Sequence, residues 1–409
     1  MRSVRLGDVA KFIRGVTFKP VDVVPSETDG AIRCMRTKNV QSTLDTSDVW
    51  SIDSGVVKRE EQYLHPGDLL VSSANSWNLV GKCSWVPEME YPATFGGFVS
   101  VLRGDGTLID KRYLYHWFAA SSTQATVRSF SRQTTNIANL DLKRCLELQI
   151  PLPPLAEQKR VAAVLDHVEA LRGKRRQAIG LLDDLARSIF LDMFGDPLVN
   201  PNDWLRVPLR ELLKSVDSGR SPQCLAHPAG PGEWGVLKLG AVTKCVYLAD
   251  ENKALPEGEA ADPRHEVQAG DLLFTRKNTP ELVAACAYVW NTPGRLLLPD
   301  LIFRLTVADD SVVNKVYLHA LLTYPPKRAK VRELASGSSA SMPNISKAKL
   351  LNFQCEIPPI GLQREFADRI RYIEGQKEEH RAHLAALDEL FISLRQRAFA
   401  GELWEHEAA

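Results

Sequence analysis

The residues of this chain that could do chemistry fall into motifs that begin a known constellation and do not complete it. Gly230-Pro-Gly-Glu-Trp-Gly235 has the spacing of a dinucleotide loop, whose glycines let the backbone approach a pyrophosphate at a helix N-terminus. No strand precedes it, and a strand rather than a helix is predicted to follow. No Gly-x-x-x-x-Gly-Lys-Ser/Thr occurs, which argues against ATP hydrolysis by a P-loop. Asn200-Pro201-Asn202-Asp203 starts like the Asn-Pro-Pro-Tyr of amino-methyltransferases but lacks the second proline and the aromatic that would hold an extruded base. Glu251-Asn252-Lys253 could end a nuclease motif, but the only Pro-Asp pair, Pro299-Asp300, comes after it. His380 and His383 read as solvated positions on a helix, and no His/Cys cluster has metal-ligand spacing. Seven cysteines without a Cys-x-x-Cys pair read as free thiols in a reducing cytosol. The expectation is a chain with no active site, no metal and no cofactor of its own.

The elements that carry these residues are repeated. Val4-Arg5-Leu6 returns near Leu209, and Gly67-Asp68-Leu69-Leu70 returns as Gly270-Asp271-Leu272-Leu273, both at an offset of 203. Asn136-Ile137 is matched to Asn344-Ile345 at an offset of 208, and Ile150-Pro-Leu-Pro-Pro154 with Gln158 to Ile357-Pro358-Pro359 with Gln363. A period this long is a duplicated module, not a solenoid. Residues 1–150 and 198–357 each alternate short apolar strands with turn signals and add a helical stretch, 111–130 in the first and 315–324 in the second. Strands are predicted at Phe98–Leu102, Trp234–Leu239, Leu272–Thr275, Ala284–Trp290 and Leu301–Val307.

Residues 151–197 and 358–409 each begin at a proline-rich stop, where a helix can start but not extend backwards. In the second, Phe366, Ile370, Ile373, Leu384, Leu387, Phe391, Leu394 and Ala398 keep a 4-3 apolar spacing broken at Lys377 and His380. The first has Val161, Leu165, Val168, Ile179, Leu182, Ala186, Ile189 and Met193 in the same frame, broken at Arg172 and Arg175. Coincident heptads with coincident breaks predict that the helices pair as one coiled coil. Rods of roughly 55 Å follow from about 1.5 Å per residue. A pseudo-two-fold relation between the repeats would make the helices antiparallel, with one globular domain at each end. The predicted fold class is therefore α+β, with two repeated α/β domains separated by two long antiparallel coiled-coil helices.

Composition narrows the partners less. The chain is 44% hydrophobic and 25% charged, ordinary for a globular protein, and its net charge is only +1. The two α/β segments are mildly basic and the C-terminal segment is acidic. Local basic patches are thus allowed but not demanded. No apolar run approaches the roughly 20 residues of a membrane span, and no secretory h-region follows Met1, so a cytoplasmic location is expected.

Two variable α+β domains, two matching long helices and Pro-Leu-Pro-Pro-Leu-Ala-Glu-Gln158 together resemble the specificity subunit of a type I restriction–modification system, over residues 4–403. Phe194-Gly195-Asp196-Pro197, Ala269–Arg276 and Ala398–Leu403 add to the resemblance. One departure is Gly361-Leu362 where the first box has Ala156-Glu157. The resemblance implies that each α/β domain is a target-recognition domain reading one half of a bipartite, asymmetric double-stranded DNA site. It further implies that the helices act as spacer, and that the non-catalytic chain recruits two modification subunits and further restriction/translocase subunits. S-adenosylmethionine, ATP and Mg2+ would then belong to those partners.

Base-edge and phosphate contacts need Arg, Lys, Asn, Gln or Ser on loops. On that basis the candidate DNA-binding residues of the first domain are Arg33, Arg36, Lys38, Asn39, Ser72, Asn75, Trp77, Arg132, Gln133 and Thr135. Those of the second are Lys238, Lys253, Arg276, Lys277, Asn278, Ser338 and Ser339. The candidate partner-docking residues are Pro153, Pro154, Glu157, Gln158, Pro358, Pro359 and Gln363. Arg172 and Arg175 are expected to solvate the seam or favour one pairing register. The competing readings are a coiled-coil adaptor with protein partners only, which the near-neutral charge favours, and a stand-alone DNA methyltransferase, which the missing motifs oppose.

Overall fold

A computed structural model describes residues 2–133, 137–336 and 342–403. Thr135, Ser338 and Ser339 lie outside these. The chain divides into two units, one running through Arg176 and resuming at Ala382, the other spanning Gln177–Arg381. Each unit contains one α/β domain and parts of both long helices.

The first domain is built on an antiparallel sheet of Ala10–Arg14, Val99–Gly104, Leu69–Ser72 and Cys83–Trp85, in that spatial order. The second uses Leu213–Ser218, Ile302–Val307, Leu272–Thr275 and Cys286–Tyr288 in the same order. Even the register recurs. Leu70 pairs with Val101 and Ser84, and Leu273 with Arg304 and Ala287, the residues 203 positions on. All four residues of Leu69–Ser72 and of Leu272–Thr275 are buried, as central strands covered on both faces require.

The repeated Gly-Asp-Leu-Leu has a physical cause. Gly67 and Gly270 have φ of +93° and +88°, which a side chain would resist. The aspartate that follows accepts a backbone hydrogen bond from three residues back, His65 in one domain and Gln268 in the other. It then meets an arginine of the neighbouring strand, Arg103 at 2.7 Å and Arg304 at 2.9 Å. The tetrapeptide is a turn that launches the central strand.

The predicted helical stretch at 111–130 is two helices, Lys111–Phe118 and Ser121–Ser129, because Ala120 turns to extended geometry between them. The strand expected at Ala284–Trp290 is confined to Cys286–Tyr288; Ala284, at φ +60°, lies outside it.

The long helices run Leu155–Phe194 and Ile360–Ala400. In the first unit Val161, Leu165 and Val168 share a core with Leu387, Phe391, Leu394 and Ala398. Beyond them Arg172 Nε donates to Asp388 Oδ1 at 2.5 Å, its guanidinium lying over the Phe391 ring. The early turns of one helix therefore meet the late turns of the other, an antiparallel pairing. In the second unit Leu182, Ala186, Ile189 and Met193 pack against a core that holds Phe366, Ile370 and Ile373. Phe190 and Phe194, which the heptad frame omits, are the most buried members of that segment. Ile179 and Leu384 are half-buried. Lys377, one of the breaks in the heptads, is buried and paired with Asp183 at 2.7 Å. Among the described residues no helix is long and apolar enough to cross a membrane.

Candidate nucleic-acid interface

The polar loops divide into residues spent on folding the loop and residues presented at the surface. Asn39 belongs to the first group. It is fully buried, its Oδ1 accepting from Arg36 N (2.8 Å) and its Nδ2 donating to Asp45 O (2.8 Å) and Asp48 O (2.9 Å). Its assignment to DNA contact is corrected: it is the internal brace of its loop. Arg36 and Lys38 both pair with Asp48, at 3.3 and 2.5 Å, and Arg36 stacks on Trp50 at 3.9 Å. Arg33 lies over Tyr91 and donates to Ser51 Oγ, on one wall of a polar cleft with Ser47 and Asp48.

Ser72 is also corrected, since it is buried and accepts from Asn75 Nδ2 at 3.0 Å. Asn278 is a third correction. It is buried, donates to Thr243 Oγ1 and accepts from Thr279 N. Lys238 pairs with Glu251 at 2.9 Å, while Lys253 is exposed on the strand Asn252–Ala254. Trp77, Arg132 and Gln133 are exposed.

The surface group comes together through a small sheet. Ser131–Gln133, Ala138–Leu140 and Ala74–Asn75 are adjacent strands, and Asn139 pairs with Arg132 on one side and Ala74 on the other. In the second domain Asn344 bridges Ser336 on one side and Lys277 on the other. The residue on the carboxyl side is tied identically in both, Leu140 N to Ser73 O and Ile345 N to Arg276 O, each at 2.8 Å. Asn139-Leu140 is therefore the counterpart of Asn344-Ile345, at an offset of 205, which corrects the match to Asn136-Ile137, whose asparagine lies outside the described residues. The two dipeptides are alike in residue type, but hydrogen-bond register decides which is equivalent. Asn139 and the exposed Phe98, whose carbonyl accepts from Ser73 N and Ala74 N, are surface residues that composition-based selection of loops missed.

The proline-rich boxes place Gln158 and Gln363 inside. Gln158 Oε1 accepts from Asp110 N (2.8 Å), and Nε2 donates to Pro153 O (2.8 Å) and Leu108 O (3.4 Å). Gln363 repeats this with Asn314 N (2.8 Å), Pro358 O (2.7 Å) and Val312 O (3.2 Å). Tyr113 and Tyr317 add hydroxyl bonds to Pro151 O and Glu356 O. The glutamines, with Pro153 and Pro358, are buried, which corrects their assignment to a docking face. Their chemistry clamps each α/β domain to the first turn of its long helix. Pro154, Ala156, Glu157 and Arg160 instead line a shallow surface depression, and Pro359 is exposed.

At the joint between the helix Lys111–Phe118 and the first long helix, one ligand atom from each of His116, Asp166 and Glu169 lies within 4.8 Å of the others. Arg112 already forms a forked pair with Asp166 and reaches Glu169 at 3.7 Å, so a guanidinium fills the place of a cation. Burial alone would raise the Asp166 carboxyl, but hydrogen bonds from His116 and Arg112 bring it down to about 2. Burial lowers the His116 imidazole below its ordinary range.

Residues 1–180 match the family model described as "Type I restriction modification DNA specificity domain". Over 421 aligned residues the chain is 26% identical to the type I restriction enzyme EcoKI specificity subunit of Escherichia coli (strain K12), covering 97% of this chain and 87% of that one. The fold resembles that of the type I restriction–modification S subunit from M. genitalium, with a TM-score of 0.60 at 13% identity, over 97% of this chain and 96% of that one. A chain from a solved structure concerning complex assembly and conformational transition of the type I R-M system matches with a TM-score of 0.51 at 18% identity, over 98% of each.

Proposed function

We propose that this chain is a specificity subunit of a type I restriction–modification system, as the match of residues 1–180 and the likeness along the chain support, and that it reads a bipartite, asymmetric DNA site with one half assigned to each α/β domain. The observation that carries the reading is a shared scaffold with unlike surfaces. Strand order, register and domain clamps coincide in the two domains, whereas the residues that flank the shared asparagine differ at every equivalent position. One scaffold with two unlike reading surfaces suits a target with two unlike halves.

The chain would act without chemistry of its own. Its long helices would set the number of unread base pairs. Its helix-start residues at the surface, the exposed Pro154 and Pro359 and the half-buried Glu157, would help dock two modification subunits, with restriction/translocase subunits joining them. S-adenosylmethionine, ATP and Mg2+ would bind to those partners, and the assembly would work in the cytoplasm. Mapping methyladenine across the host genome with and without this gene tests the reading. Loss of one bipartite motif on deletion is expected. An unchanged methylation map would return the adaptor reading, which the near-neutral charge favours.

A further inference from the structure

In each domain one asparagine sits at the centre of a three-strand row, with every neighbour in the row different. The first row runs Arg132, Asn139, Ala74, and Phe98 is tied to its end; the second runs Ser336, Asn344, Lys277, and Leu301 is tied to its end. The two ties are equivalent, since Phe98 O accepts from Ser73 N at 3.0 Å and Leu301 O from Arg276 N at 3.1 Å. Adjacent strands stand roughly 4.8 Å apart, so each row spans on the order of 10 Å, about three base pairs of rise.

Asn139 lies between buried Ala138 and Leu140, which turns its amide outward, and that amide has no partner among the described residues. Asn344 is half-buried and precedes buried Ile345; its Oδ1 accepts from Arg276 Nε at 3.1 Å, leaving the amide N–H2 to donate. The surroundings suit a polyanion. The Arg132 side chain is 87% exposed even with Asp141 at 3.7 Å, and the half-buried Lys277 has no ion pair among the described residues. Phe98 is 66% exposed although its backbone is held by two hydrogen bonds, so a rigid turn presents it to solvent.

We propose that these rows face duplex DNA, and that Asn139 and Asn344 donate to the sugar–phosphate backbone while the unlike neighbours carry the sequence preference. The inference rests on the bipartite reading above and follows from its logic. A residue identical in two domains that read different half-sites cannot be what distinguishes them. Contacts to phosphate position a domain, and contacts to base edges specify sequence. The shared asparagine does the first. Ala74 against Lys277, Arg132 against Ser336 and Phe98 against Leu301 do the second, through charge, hydrogen bonding and apolar contact with base edges.

The test uses the full chain assembled with its partner subunits, measuring DNA affinity against salt and the methylated motif by sequencing. Asn139→Ala should weaken binding about tenfold on every sequence, the size of one lost hydrogen bond to a charged group, and leave the motif intact. Asn139→Asp is isosteric and puts a carboxylate against phosphate. It should weaken binding further, and most at low salt. The double substitution Ala74→Lys with Phe98→Leu installs the second domain's residues and should change the first half-site while leaving the second intact. Unchanged affinity for Asn139→Asp would overturn the placement of the row on DNA. An altered motif in Asn139→Ala would make the asparagine a base reader and overturn the division of labour. DNA binding by the parent complex that ignores salt and sequence would remove the bipartite reading itself, and this proposal with it.

Discussion

Replacing Gln158 with Ala measures what holds the first α/β domain to its helix. The side chain is buried and makes three hydrogen bonds, one accepted from Asp110 N and two donated to Pro153 O and Leu108 O. Alanine removes all three and leaves the partners without protein groups to bond. At about 1 kcal/mol net for each, the loss is about 3 kcal/mol. For a unit of this size that corresponds to a melting point lower by roughly 6–12 °C. Glu157→Ala, one residue away on the surface side, should stay within about 0.5 kcal/mol. Thermal and urea unfolding of both variants, with the parent beside them, reads the difference directly. Co-purification with the modification subunits supplies the second readout. A Gln158→Ala protein that melts with the parent yet fails to co-purify would refute the clamp and make the glutamine a docking residue. Gln363→Ala should repeat the clamp result in the second unit, because its three bonds are the same.

Four further outcomes follow from buried and half-buried groups. Glu356 pairs with Lys327 at 2.5 Å with both side chains buried, so Glu356→Ala strands an ammonium and should cost about 3–5 kcal/mol in urea unfolding, most of it regained in Lys327→Met/Glu356→Leu. Burial depresses the His116 imidazole, so below about pH 6.5 the unfolded chain takes up a proton that the folded chain refuses, and stability of the first unit falls with pH. His116→Asn should flatten that slope between about pH 7 and 5. Asp166 acts lower on the scale. Its carboxyl, held at about 2, contributes stability above the ordinary carboxylate value that is lost as pH falls towards 2. A thiol reagent should titrate Cys224 and Cys245 first, since Cys34, Cys83, Cys145, Cys286 and Cys355 are buried and burial pushes their thiols up. Rapid reaction of all seven in the folded chain would contradict that packing.

Much of the architecture is written in local pattern. Apolar residues at 4-3 spacing state a helix and its buried stripe without reference to anything distant, and every position of that stripe is buried or half-buried in both long helices. The duplicated Gly-Asp-Leu-Leu is legible for the same reason, because a turn needing positive φ selects glycine within a few residues. The tertiary structure decides what a polar side chain is used for. Asn39, Ser72, Asn278, Gln158 and Gln363 have the chemistry of a binding surface and are spent inside the fold, because buried backbone groups some residues away need partners. Asn139 has the same chemistry and is left outside, because strand alternation turns it away from Ala138 and Leu140. Composition cannot separate the two uses. The hydrogen-bond register does, since it sets which amides are already satisfied and which remain to meet a partner.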